Sequence, residues 1–416
     1  MIKRILYTLL IMFPVVASAQ INTDRVMAIG RNALYFEDYV LSIQYFNQVI
    51  NAKPYLSDPY FYRGLAKINL DDFQGAESDC SEAIERNPFV VSAYQVRGLA
   101  RIQQNNFAGA IEDYTKALEF DPENIGVWHN MALCRIRQED YKGAKNDLDK
   151  LIAISPRYTK AYLMRGEVDL KQKDTLAAEK DFGKAIEIDR YDADTWASRA
   201  ILRLQQQRYK DAEADFDHAI RLSTRNSGVY INRALARYHQ NNLRGAMSDY
   251  DIALDIDPNN FIGHYNRGLL RAQVGDDNRA IQDFNFVIEM EPDNMMAIFN
   301  RGLLLDQTGD YKGAIKDYST VINEYPNFLL GYQYRAQARR KIGDVKGADA
   351  DEFKVLKAQL DKQNGVDPNK QTADNTENNK TRKKSDKNMN NYRKIVVADN
   401  EEGEEKYKSD YRGRVQ

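Results

Sequence analysis

Apolar residues recur along this chain at spacings of three, four and seven, with polar residues between them, in stretches of helical length. In FYRGLAKINL, residues 61–70, and the tyrosine before it, Tyr60, Gly64 and Lys67 fall on one helical stripe with Arg63 beside them. The phrase returns around Arg97, Arg165, Arg267 and Arg301. Prolines set its period: Pro54, Pro88, Pro122, Pro156, Pro258, Pro292 and Pro326 stand 34 residues apart or at a multiple of that, with Arg190 and Thr224 at the two vacated places. Ten units therefore start at Thr23, Ser57, Val91, Ile125, Thr159, Ala193, Ser227, Phe261, Met295 and Leu329. In each, the fourth residue is large, as at Val26, Trp128, His264 and Ile298. The eighth is Gly or Ala, as at Gly64 and Ala200. The twentieth is Ala from Ala76 through Ala348, and the twenty-fourth is usually aromatic, as at Phe182 and Tyr250. Small residues at positions 8 and 20 let two short helices approach closely, and large residues fill the gaps beside them. The pattern predicts a helical hairpin with a turn near positions 15 and 16, as at Gly275-Asp276, and a proline closing the second helix.

This length and large/small pattern resembles the tetratricopeptide repeat family, in register from Thr23 to about Gln363. The resemblance implies an all-α, right-handed solenoid of about ten helix-turn-helix units, with the array at 23–362. It also implies a concave face lined by the first helix of each unit at positions 2, 5, 9, 12 and 13. Those positions hold Phe61, Leu65, Ile68, Leu99, Ile102, Gln103, His129, Leu133, Ile136 and Arg137, an apolar floor with an amide and cationic rim, which is the expected partner groove. Position 5 has no Lys, which speaks against the family's clamp for a C-terminal carboxylate. Asn130, Asn232, Asn266 and Asn300 at position 6 could hydrogen-bond a peptide backbone or equally satisfy neighbouring turns.

Position 7 poses a problem, because it should be buried and yet holds Arg63, Arg97, Arg165, Arg199, Arg233, Arg267, Arg301 and Arg335. Position 23 supplies a matching acid: Asp79, Asp113, Asp181, Asp215, Asp249, Asp283, Asp317 and Asp351, with Asp147 in the unit where Met131 replaces the arginine. The first unit lacks both residues, which favours pairing within a unit, although one guanidinium could bridge both neighbours. Arg165 is the expected neighbour of Asp147. A ladder with the period of the fold reads as a structural pair that fixes helix register rather than as an ion path or polyanion site.

Composition narrows the function. The net charge is −2, with no basic field for a nucleic-acid backbone. HExxH, GxSxG, a Gly-rich phosphate loop and a metal-ligand cluster are all missing from the sequence, and the four histidines sit at different repeat positions, so neither enzyme chemistry nor a cofactor is expected. Cys80 and Cys134 read as separate packing residues. Lys3 and Arg4, the run ILYTLLIMFPVV and Ala17-Ser18-Ala19 have the form of a secretory signal over 1–19, with Gln20 as the mature N-terminus and no membrane insertion after cleavage. The polar stretch from 363 is expected to be disordered to the end, and YRKIVVADN within 392–416 reads as more tail, as a short motif that adds a strand to a partner, or as the stub of a further domain. The expected function is a non-catalytic scaffold or adaptor in the periplasm or cell envelope of a bacterium, or in the surrounding medium, binding a protein or peptide partner. The alternatives are a chaperone-like holder of exported proteins and a regulatory array detached from a downstream domain.

Overall fold

The computed structural model describes residues 22–222, 225–363, 389 and 392–398. Among these residues it is all-α and falls into two units divided at Ile188/Asp189. The first unit contains five hairpins: α1 (Thr23–Tyr35) with α2 (Tyr39–Ala52), α3 (Asp58–Ile68) with α4 (Phe73–Arg86), α5 (Val91–Gln103) with α6 (Phe107–Phe120), α7 (Ile125–Arg137) with α8 (Tyr141–Ile154), and α9 (Thr159–Lys171) with α10 (Thr175–Ile188). The second contains five more: α11 (Ala193–Gln205) with α12 (Tyr209–Arg221), α13 (Ser227–His239) with α14 (Leu243–Ile256), α15 (Phe261–Gln273) with α16 (Asp277–Met290), α17 (Met295–Thr308) with α18 (Tyr311–Glu324), and α19 (Leu329–Lys341) with α20 (Val345–Gln363). The expected signal segment, 1–19, lies outside the described residues.

Each hairpin turns the same way. Position 15 takes a positive φ in all ten, as at Glu37 (63°), Asp71 (60°) and Gln207 (60°), and only Gly275, Gly309 and Gly343 meet that demand without a Cβ. Position 16 then caps the second helix in most repeats, Arg208 and Asp276 excepted: the Asp72 carboxylate accepts from the Gly75 N–H at 2.9 Å and Asp140 from Gly143 at 2.9 Å. Pro54 follows the end of α2 by one residue beyond its cap, Lys53, and cannot continue the helix. Between the two helices the eighth residue meets the twenty-fourth. A Cβ added at Gly166 would stand 2.6 Å from the Phe182 ring, so a larger residue there would push the helices apart.

The described end of the chain departs from its reading as more disordered tail. Residues 392–398, read from composition as part of a disordered tail, lie on the second unit: Tyr392 and Ala398 are buried, and Ile395, Val396 and Val397 are half-buried. The run Ile395-Val396-Val397 already sets this stretch apart from its polar flanks in the sequence.

Candidate functional site

The charge layer is the most regular feature. In all eight units that carry the position-7 arginine, its Nε and Nη2 donate to the two carboxylate oxygens of the aspartate sixteen residues later, at 2.5–3.1 Å. In seven of them Nη1 reaches the preceding repeat, to Asn47, Ser81, Asp149, Asp217, Asp251, Asn285 or Ser319. Several guanidinium groups also lie over the position-4 ring of their own helix, as Arg199 does over Trp196 at 5.1 Å to the centroid. The arginine is thus placed among a carboxylate, an aromatic face and the neighbouring repeat.

Sequence reasoning missed a second cation. Position 11 supplies Lys67, Arg101, Arg135, Arg203, Arg237, Arg271 and Arg339, each 2.7–3.0 Å from the same aspartate. The signal was its recurrence twelve residues before the acid. It corrects the expectation for Asp147, whose partner is Arg135 in its own repeat (2.7 Å); Arg165 instead holds Asp181 and Asp149. Burial and the cations around each aspartate oppose one another: Asp113 and Asp249, each with two arginines, are still held above the ordinary carboxylate range by burial. Burial, opposed by Arg135 alone, pushes the Asp147 carboxyl up to about 6. Burial pushes Asp283 the same way, but His264, Arg267 and Arg271 hold it below the ordinary range.

The expected groove in the first unit is corrected in part. Phe61 (8% exposed), Leu65 (5%), Leu99 (7%), His129 (1%) and Leu133 (3%) are buried, Ile68, Ile102 and Ile136 are half-buried, and only Gln103 and Arg137 are exposed. Leu133 lies in a cluster with Leu148, Leu151 and Met164. Positions 5 and 9 repeat at the same period whether they face a groove or the next hairpin, so spacing could not separate the two. His129 hydrogen-bonds the Tyr158 hydroxyl at 3.3 Å.

A polar groove instead lies on the second unit, on the first helices α13, α15 and α17. Their position-6 residues Asn232, Asn266 and Asn300 are buried side chains in three successive repeats. Asn266 Nδ2 donates to the Val396 carbonyl (2.7 Å), and its Oδ1 accepts the Val396 N–H (2.9 Å). Asn232 does the same to Ala398, at 3.0 Å in both directions. Asn300 Nδ2 and the Tyr265 hydroxyl both donate to the Tyr392 carbonyl, at 2.5 and 2.7 Å. An amide that takes the N–H and C=O of one residue does what an adjoining β-strand does, and Val396 and Ala398 are two apart, the period at which an extended backbone presents those groups to one side.

Side chains fill the rest. The Tyr392 ring meets Phe299 edge-on at 4.8 Å, within a cluster that includes Tyr265, Leu304 and Phe328. Ile395 and Val397 pack on the cluster of Leu204, Val229 and Leu235, and Ala398 fits among Ile231, Ala234 and Leu270. Arg393 and Lys394 are exposed. Asn130 stands in the first unit between Val96 and Met164 at the same position, so no run of amides forms there.

Cys80 and Cys134 are free and buried, and burial pushes the Cys134 thiol up to about 12. Among the described residues, no cluster of His, Cys, Asp and Glu suits a metal ion, and no helix is long and apolar enough to cross a membrane.

Tetratricopeptide repeat models match residues 125–158, 159–192, 198–261 and 265–327, and a further TPR repeat model matches 98–134, together more than half of the chain. No curated protein matches the chain. Similar solved structures include a tetratricopeptide repeat protein from Parabacteroides merdae (21% identity, 60% of this chain and 98% of that one, TM-score 0.47). The C-terminal part of a TPR repeat-containing protein from Cytophaga hutchinsonii is also similar (18% identity, 57% and 97%, TM-score 0.48). The repeat models and the ten hairpins in one register agree, and the chain belongs to the tetratricopeptide repeat family.

Proposed function

We propose that the protein is a non-catalytic scaffold that holds an extended segment of a protein partner on the first helices of its second unit. The observation that carries this reading is the run Asn232, Asn266 and Asn300, whose amides meet a main chain at spacings an extended peptide can satisfy. Hydrogen bonds to the main chain supply affinity for any extended segment, while the Phe299 and Ala398 pockets select side chains. This pairing of general and selective contacts favours an adaptor with a chosen partner over a holder of many clients. The setting we infer is the cell envelope or periplasm, reached through the secretory signal at 1–19. N-terminal sequencing of the exported protein should begin at Gln20, and retention of Met1 would remove the basis for that setting. Photo-crosslinking from position 269 in the native cells tests the binding role. One dominant product, lost with Asn232→Leu or Asn266→Leu, is expected. Capture that survives both substitutions would place binding elsewhere, and a broad spread of products would favour the holder.

A further inference from the structure

Resting on that reading, we propose that residues 392–398 are an in-chain copy of the partner's motif, and that they close the groove until a partner presenting the same pattern displaces them. The pattern is an aromatic residue in a turn, two free positions, three aliphatic residues and a small residue.

Each part of the pattern answers to a feature of the groove. Tyr392 is buried against Phe299, and its carbonyl is shared by Asn300 and Tyr265, so the first place calls for a flat ring whose backbone remains accessible. The two following residues, Arg393 and Lys394, are exposed and make no demand on a partner. Ile395 and Val397 join one apolar cluster and Val396 another, and the Val396 backbone is held at both ends by Asn266. Ala398 is 3% exposed beside Ile231 and Ala234, where a long or charged side chain would have to displace helix α13. The segment runs opposite to the repeats: Tyr392 lies at α17, Val396 at α15 and Ala398 at α13. The amides are filled in an order that a second polypeptide could adopt only after the first has left. Because this segment belongs to the chain, its binding is intramolecular, and a free segment competes against an effective concentration rather than against an open site.

The sequence supports the assignment independently. The charge layer occurs in eight repeats, as a feature of the fold should, whereas consecutive asparagines at position 6 occur in only three, which are the three that hold the segment.

The test uses the full-length chain and a full-length Val396→Pro variant, in which the N–H accepted by Asn266 is gone. Each is titrated with a labelled peptide of the sequence from 389 to 400, MNNYRKIVVADN. The variant should bind the peptide about tenfold or more tightly than the wild type, because its own segment no longer competes. A peptide carrying Tyr392→Ser and Ala398→Arg should lose at least about tenfold in affinity for the variant. Adding Asn266→Leu, or separately Asn232→Leu, should abolish binding with helical circular dichroism unchanged. Equal affinity of wild type and variant, still lost on Asn→Leu, would overturn the closing role and leave the groove intact as a reading. Undiminished binding of the altered peptide would overturn the pattern. Failure of every form to bind would remove the groove itself.

Discussion

The two units share one scaffold and differ in what their first helices offer. In the first unit, position 6 holds Ala28, Tyr62, Val96, Asn130 and Met164, and at position 9 Leu65, Leu99 and Leu133 are buried in the packing of the repeats. In the second, position 6 is Asn in three successive repeats, and of their position-9 leucines Leu235 is buried while Leu269 and Leu303 are only half-buried, beside the bound segment. The arginine–aspartate layer runs through both. What is periodic therefore builds the fold, and the break in periodicity builds the site.

The comparison is broken most severely at position 9. Leu133→Asp puts an unpaired charge among Leu148, Leu151 and Met164 and should cost about 4 kcal/mol or more, seen as lost hydrogen-exchange protection through α7–α9. Leu269→Asp, at the same repeat position in the second unit, should leave the helices protected and release residues 392–398. If both substitutions unfold their units alike, the two faces are not different in kind.

A smaller effect is expected in the shared layer. Arg301→Ala should destabilise by about 3 kcal/mol, because Leu305 stands where other repeats carry the second cation and buried Asp317 loses its bidentate partner. Arg199→Ala should cost less, since Arg203 still holds Asp215 at 2.8 Å. Arg301→Met with Asp317→Leu should recover part of the loss. Local exchange is the proper measure, because a repeat array can lose one end before the other. Equal losses at Arg301 and Arg199 would show that the position-11 cation contributes nothing.

Next comes the segment itself. In the wild-type chain, the Val396 and Ala398 amides should exchange slowly, since each N–H is accepted by a buried asparagine. Asn266→Leu removes two hydrogen bonds and should speed exchange at Val396 by about 10- to 100-fold. Rapid exchange in the wild type would mean that the groove is open.

These expectations divide according to what a single sequence can carry. The hairpins were legible because Pro54, Gly166 and Ala76 each do a local job that repeats every unit. The arginine–aspartate pairs were legible because both residues vanish together from the first repeat. For Asn232, Asn266 and Asn300 the sequence left open a peptide backbone or neighbouring turns, and could not say what they bind: Ala398 lies 166 residues beyond Asn232, and no local pattern reports such a contact. Burial of Leu99 and Leu133 was hidden for the opposite reason, since groove and interface share one period.

Asp147 offers the finest comparison, because its repeat has lost one of the layer's two cations. Its folded carboxyl titrates near 6, above the ordinary carboxylate range, so ionising it works against the folded state. The stability linked to this group is fully present below about pH 4, the unfolded value, and is lost as pH rises through about 6. Asp283, with its carboxyl held below the ordinary range, has the opposite linkage and loses its contribution as pH falls through that lowered value. Met131→Arg should convert the first behaviour toward the second. Met131 sits at the arginine position, with its sulfur 4.0 Å from the Thr115 hydroxyl, where Nη1 finds Ser81 or Ser319 in other repeats. A guanidinium there would meet Asp147 and Thr115 together, and the Asp147 carboxyl should fall by about 1–3 pH units, read by carboxyl NMR titration. Exchange protection in α7 and α8 should then decline less between pH 4 and 7. An unmoved Asp147 titration would show that burial of this repeat, rather than the missing arginine, sets its charge.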